Sequence, residues 1–447
     1  MLVHVCDCVM GSGKTSAAIG MMKCGEAVSG GRYLYLTPFL AETERIVEAC
    51  EGLGFQMPDN RRRRYGFRKM EHLKALIAEG RNVAATHQLF SMCDAEVIGL
   101  LRSKGYTVVI DEVIEVVKKV SVEPGRLKLV TDAGWLIREE TEHGARYTYN
   151  AEKAGSVGGS FGELINYAKT RRLLDLTASV SGEGRTDGKF LYWELSPMLF
   201  ECAEVYVLTY LFEGSLMWGY FKVCGIEWDY VCVTRGQGGY EFRKGYMPVP
   251  EHVSYPGDKI HIHGDRKHNE LGDDMFALSA NWVKRACGSG GAGMKRLSGS
   301  TRSFFEYSAK HVPSSQRLWS IYKQGQKYIR RKGYTNRSLA FNCRATNDYS
   351  QARALAYLVN VFPDPQVTGY FARNGVAVNE SLYALSIMIQ WIWRSAIRNG
   401  EDIMIYVPSR RMRELLSGWL EDVGSAAEDG RQARQRQVPQ GTGVRVN

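Results

Sequence analysis

"CDCVMGSGKT", residues 6 to 15, decides how the rest of the chain is read. The apolar stretch "LVHVCD" runs into it with the composition of a buried strand, and "SAAIGMMKC" runs out of it as a helix. Gly11 and Gly13 flank Ser12, and Lys14 and Thr15 follow. Glycines let a loop fold back so that successive backbone N–H groups point at one anion. A helix that starts at the lysine adds its N-terminal dipole. In such a loop Lys14 reaches the β- and γ-phosphates of a nucleotide, and the Thr15 hydroxyl ligates magnesium. Cys8 stands where the first glycine of the P-loop pattern usually is. A chance glycine turn would account for a lone GSGKT; the strand–loop–helix setting favours phosphate.

A second motif, "TVVIDEV" at 107 to 113, completes the argument. Four apolar or β-branched residues form a buried-strand signal that ends in Asp111 and Glu112, where an α/β sheet puts its ligands. Asp111 would hold magnesium, usually through water, and Glu112 would orient or deprotonate the attacking water. An Asp-Glu pair at a strand end is often only a turn, but paired with the upstream loop it reads as nucleotide hydrolysis.

At 447 residues, 44% of them hydrophobic, the chain has room for two or three domains with real cores. With 58 basic against 48 acidic residues the net charge is +10, a mild lean towards a polyanionic partner. The sharpest basic cluster is "RRRRYGFRK" at 61 to 69, where Tyr65 and Phe67 interleave with arginines as a phosphate backbone and its bases would require. A solvated charged loop explains it equally well. The ten cysteines have no framework spacing, which fits a reducing compartment. His261, His263 and His268 in "HIHGDRKH" lack the companions of a metal motif and read as a polar strand and turn. No signal peptide or apolar run of membrane-spanning length appears, so the expectation is a cytoplasmic protein without membrane partners.

Strands alternate with helices through "GRYLYLTPFLAETERIVEAC", "EHLKALIAEG" and "NVAATHQLF", implying a parallel sheet covered on both faces. Residues 120 to 200 break that rhythm with glycine-rich punctuation and alternating stretches, and read as an insertion of hairpins with a helix around 161 to 173. The sheet resumes with "AEVYVLTYLFEGSLMWGYF", and a boundary near 225 closes the first domain. "CGSGGAGMKRLSGS" at 287 to 300 reads as a mobile loop. A second α/β unit follows, with the strand "SLAFNC", the helices "YSQARALAYLVNVF" and "SLYALSIMIQWIWRSAIR", and the strand "DIMIYV". From residue 424 to 447 there is almost nothing to bury, and a disordered tail is expected.

The order of these motifs resembles a superfamily-two helicase of the DEAD/DEAH-like group that bacteriophages encode. "MGSGKT" resembles motif I and "VVIDEV" motif II. "LYLTPFLAETER" is similar to motif Ia, which implies that Thr37 and Arg45 face a nucleic-acid backbone; "ATHQLF" implies the same of Thr86. "VLTYLF" is similar to motif III, making Thr209 the residue that couples hydrolysis to strand movement, with "LDLTASV" at 174 to 180 competing for that role. "QWIWRSAIR" resembles motif VI through Gln390, Arg394 and Arg398, although its last arginine sits four after the first rather than three. Read as a helix, these three residues lie along one face. The resemblance implies two RecA-like P-loop domains, residues 1 to 225 and 226 to 423, with ATP and magnesium between them. It also implies nucleic acid across both, DNA more than RNA, and a role in phage DNA replication or recombination alongside replication proteins in the host cytoplasm.

Three other readings compete. A packaging ATPase with a fused nuclease would share motifs I and II, but its acidic cluster would have to come from Asp348, Asp364 and Glu401, which sit near turns. A small-molecule kinase would not need the second α/β unit. A nucleic-acid-binding protein with a vestigial ATPase would not keep both carboxylates and the lysine. Trp391 and Trp393 suit base stacking, yet an aromatic pair inside "IMIQWIWR" is more often core.

Overall fold

The computed structural model describes residues 3–59, 69–123, 125–141, 144–154, 161–170, 172–176, 190–201, 204–253, 257–288, 290–343 and 348–437. The fold is mixed α/β with parallel sheets. The chain forms two compact units: Met1–Asp7, Lys14–Tyr246 and Pro363–Tyr383 in the first, Cys8–Gly13, Met247–Phe362 and Ala384–Asn447 in the second.

The first unit is built on β1 (Val3–Asp7), β2 (Arg32–Thr37), β3 (Val83–Thr86) and β4 (Tyr106–Asp111). Their residues are apolar almost without alternation, as strands covered on both faces must be. An insertion follows: β5 (Val117–Ser121), β6 (Leu136–Thr141), β7 (Gly144–Tyr149), β8 (Arg172–Asp175) and β9 (Phe190–Glu194). The main sheet then takes up β10 (Glu204–Thr209), β11 (Trp228–Gly236) and β12 (Gly239–Lys244). Its order is β12-β11-β1-β10-β4-β2-β3, parallel throughout except for the β11–β12 hairpin. Register pairs Asp7 with Thr209 and Leu208 with Asp111, so the carboxyl ends of β1, β10 and β4 finish together. The insertion folds as an antiparallel sheet of order β5-β9-β8-β7-β6, with the helix Gly162–Thr170 where a helix was expected. The first unit extends past residue 225, because β11 pairs with β1 from Trp228 onward. The helix Pro365–Arg373 also belongs to it: Phe371 and Val367 lie in the same core as Phe212 and Phe221.

The second unit holds β13 (Ile260–Ile262), β14 (Arg317–Ser320), β15 (Ala354–Tyr357) and β16 (Ile403–Tyr406) in the parallel order β13-β16-β15-β14. Trp319, Tyr406, Phe304 and Leu297 lie in its core. Three expectations change here. "YSQARALAYLVNVF" is not a helix; its apolar centre is β15, paired on both sides. A short run buried on every side has no helical or strand period to read, so tertiary pairing decides it. "SLAFNC" is not a strand, and only Ser338 forms a single bridge with Trp319. "CGSGGAGMKRLSGS" belongs mostly to two helices, Ala280–Gly288 and Ala292–Ser303, joined at Gly290 and Gly291, whose positive φ makes the turn. Met294, Leu297, Ser298 and Thr301 form the buried stripe of the second helix, which the surrounding glycines and serines disguise. The last helix begins at Arg410 and is described to Gln437; residues 438–447 of the expected tail lie outside the described residues. Among the described residues no helix is long and apolar enough to cross a membrane.

Candidate active site

The glycine loop is shaped as its sequence requires. Gly11 and Gly13 have φ of 78° and 85°, in the left-handed region that favours glycine. Between them Ser12 is fully buried, and among the described residues its hydroxyl has no hydrogen-bond partner. The loop is tied to the segment 247–252 of its own unit. The Cys8 thiol donates to the Met247 carbonyl (3.3 Å), the Val9 N–H to the Pro248 carbonyl (2.7 Å), and His252 Nε2 to the Ser12 carbonyl (2.9 Å).

Lys14 starts the helix Lys14–Ser29, and Thr15 follows in its first turn. The Thr15 hydroxyl donates to Asp111 Oδ2 at 3.3 Å, and the buried Tyr35 hydroxyl donates to the same oxygen at 3.0 Å. β1, β2 and β4 end at the same edge of the sheet, which is why a residue from the helix and one from each of two strands meet there. Burial drives the Asp111 carboxyl up to about 6; the adjacent Glu112 pushes the same way, and the Tyr35 hydroxyl, Lys14 and Arg45 oppose it. Tyr35 is raised well above its ordinary value by burial and by Asp111. Glu112 has φ of 67°, rare for a residue with a side chain, and its N–H donates to the Leu208 carbonyl at 2.9 Å. Such backbone strain costs about 1–3 kcal/mol and concentrates at functional sites.

Asp7 ends β1 immediately before the loop. One of its oxygens accepts from the Phe212 N–H at 3.2 Å, and the other has no hydrogen-bond partner among the described residues. Burial raises its carboxyl to about 6, against the pull of the Phe212 N–H and Lys14. Thr15 and Asp111 fit magnesium: a hydroxyl and a carboxylate oxygen are hard donors, and their 3.3 Å separation is close to the spacing of neighbouring ligands around that small ion.

The remaining expected residues divide. Thr209 is buried at the end of β10, in register with Asp7. Thr37 is buried, and its hydroxyl donates to the Phe39 carbonyl at 2.9 Å, a turn-closing bond. Thr86 caps the short helix His87–Phe90 by accepting from the Leu89 N–H. Arg45 pairs with Glu42 at 2.7 Å and keeps about half of its side chain, 48%, exposed. Gln390, Arg394 and Arg398 do not share a helix face. The helix ends at Ile392, where the Ser395 hydroxyl donates to the Ile392 carbonyl at 2.6 Å, and Arg398 sits on a separate turn, Ala396–Asn399. A serine that competes for backbone carbonyls breaks a helix that periodicity alone would continue. Arg61 to Arg64 lie outside the described residues, as do the last four residues of "LDLTASV". His263 and His268 hydrogen-bond each other at 2.9 Å, while Asp265 caps the helix Arg266–Asn269.

Sequence reasoning missed Asp7, Tyr35 and His252. Asp7 had a local signal, an ionisable residue closing a buried strand. Tyr35, inside an apolar strand, and His252, far along the chain, had none.

A family profile described as the YonV C-terminal Rossmann-like domain matches residues 256–420. The chain is 35% identical over 434 residues to the SPbeta prophage-derived protein YonV of Bacillus subtilis (strain 168), covering 94% of this chain and 99% of that one. Among solved structures it is similar to an XPD helicase at 11% identity and TM-score 0.46, over 93% of this chain and 94% of that chain. It is also similar to Xpd4 of S. tokodaii at 11% identity and TM-score 0.48, over 94% of each.

Proposed function

This chain belongs to the YonV family, and from that premise we propose that it hydrolyses ATP to move along or separate strands of nucleic acid. The observation that carries the reading is the convergence of the Thr15 and Tyr35 hydroxyls on one oxygen of Asp111, beside a lysine that opens a helix after a glycine loop. Gly11, Ser12 and Gly13 cradle phosphate, Lys14 neutralises charge on the β- and γ-phosphates, and Glu112 orients and deprotonates the attacking water. Thr15 and Asp111 hold magnesium, which when bound screens the phosphate oxygens as charge develops on them. Tyr35 keeps Asp111 in place through a buried hydrogen bond. Arg394 and Arg398, with Gln390, are assigned to the nucleotide from the motif, and Thr37, Arg45 and Thr86 to the nucleic-acid backbone. Thr209, in register with Asp7, couples the two. DNA is favoured over RNA, in phage replication or recombination, in keeping with the prophage origin of the relative.

The test is phosphate release with single-stranded DNA, duplex DNA, a fork and RNA in turn. Lys14→Ala should lose turnover by at least about 10²-fold, since no other residue of the loop supplies that cation. Glu112→Gln should bind ATP and magnesium yet turn over slowly, because the metal ligand survives and the base does not. Undiminished hydrolysis by purified Lys14→Ala protein removes the assignment.

A further inference from the structure

We propose that the Trp393 indole N–H is a phosphate-binding donor of the nucleotide site, an inference that rests on the ATP reading above. A β-carbon built on Gly11 would lie 3.9 Å from Trp393 Nε1, among the described residues the one atom within 4 Å of it outside Gly11 and its chain neighbours. The nitrogen-bearing edge of the ring, rather than its face, is therefore turned to the side of the loop where a Gly11 side chain would stand. Among the described residues this N–H has no hydrogen-bond partner.

Its neighbour shows what a structural tryptophan looks like in the same segment. Trp391 is fully buried, packs against Tyr357 at 5.1 Å, and donates its indole N–H to the Leu339 carbonyl at 3.4 Å. Trp393 differs on every count. The helix Glu380–Ile392 stops just before it, the chain turns at Ser395, and the side chain is left half-buried with its donor unspent. An indole nitrogen is a donor only, so its partner has to bring an acceptor. The loop beside it directs backbone N–H groups at an anion, and the phosphate oxygens held there are acceptors in excess. A hydrogen bond to a charged oxygen is among the stronger ones.

The experiment measures affinity for the magnesium complex of a non-hydrolysable ATP analogue by calorimetry, together with thermal melting of the free proteins. The variants are Trp393→Phe, Trp393→His and Lys14→Ala. Phenylalanine keeps a ring that can stack on a base but removes the donor; histidine restores an N–H in a smaller ring. Trp393→Phe should weaken binding roughly tenfold without an earlier melt, and Trp393→His should recover most of the loss. Lys14→Ala should lose binding. If Lys14→Ala loses binding and Trp393→Phe binds like the parent, the tryptophan is no phosphate ligand and the ATP reading stands. If Trp393→Phe is weakened but Trp393→His recovers nothing, the indole acts through packing and the inference is overturned. If Lys14→Ala binds like the parent, the ATP reading falls and takes the inference with it.

Discussion

Asp111 shows how one position carries opposed demands. Its carboxyl is raised from 3.8 to about 6, chiefly because burial disfavours the charged form. Between those values the folded protein holds the proton more tightly than the unfolded chain does. The stability this group contributes is therefore full below pH 3.8 and is lost as pH rises through 6. At neutral pH the free protein keeps an ionised carboxylate whose desolvation the Tyr35 hydroxyl, Lys14 and Arg45 offset only in part. Asp111→Asn should therefore melt later than the parent at pH 7.5 without ligands, by about 1–3 kcal/mol. The advantage should close towards pH 4, while turnover is lost. Melting curves across that range decide it; an asparagine variant no more stable than the parent at pH 7.5 contradicts the account. Asp7, raised in the same way, is common to both proteins and cancels in the comparison.

At the scale of the element, two segments set the site. The helix Lys14–Ser29 must lie close to the sheet if its first turn is to present Lys14 and Thr15. Gly20 allows this, because a β-carbon there would come within 3.2 Å of the Tyr240 carbonyl on β12. Gly20→Ala should be nearly neutral, its helix propensity offsetting the tight contact, whereas Gly20→Val should destabilise by about 1–3 kcal/mol in denaturant titration. Equal stability of the two variants would mean that the helix shifts at no cost. The second segment is "QWIWRSAIR". Because the helix ends at Ile392, Arg394 and Arg398 no longer act as one row, and Arg398 is exposed on a separate turn. Arg394→Ala should keep its fold and its ATP binding but lose nucleic-acid-stimulated hydrolysis by about 10³- to 10⁵-fold, the usual worth of an arginine on a transferring phosphate. Arg394→Lys should rescue little, since a point charge lacks the planar fork, and Arg398→Ala should be milder. Normal hydrolysis with early melting in Arg394→Ala would make that arginine structural.

For the whole molecule, a net charge of +10 would set the terms of the proposed encounter with nucleic acid. Contacts between lysine or arginine and phosphate release counterions, so affinity should fall steeply with salt and vary little with sequence. Changing Arg61 to Arg64 to serine should flatten the slope of log affinity against log salt if that cluster touches the strand. An unchanged slope in a filter-binding or anisotropy titration returns the cluster to a solvated loop. The sequence by itself determined the α/β class, the glycine loop, the Asp111–Glu112 strand end and the antiparallel insertion. Each of these is written locally, in glycines at fixed offsets, in an apolar run closed by carboxylates, or in alternation broken by turns. Other features were decided by tertiary structure alone. "ALAY" became a strand because β14 and β16 pair with it, and residues 292 to 300 of the glycine-rich stretch became helical because Met294 and Leu297 found a core. The helix through "QWIWRSAIR" ended where a serine took a carbonyl, and Tyr35 and His252 reached the site through contacts. Long-range contacts leave no period in the chain, because the partner that makes such a residue matter lies elsewhere in the sequence.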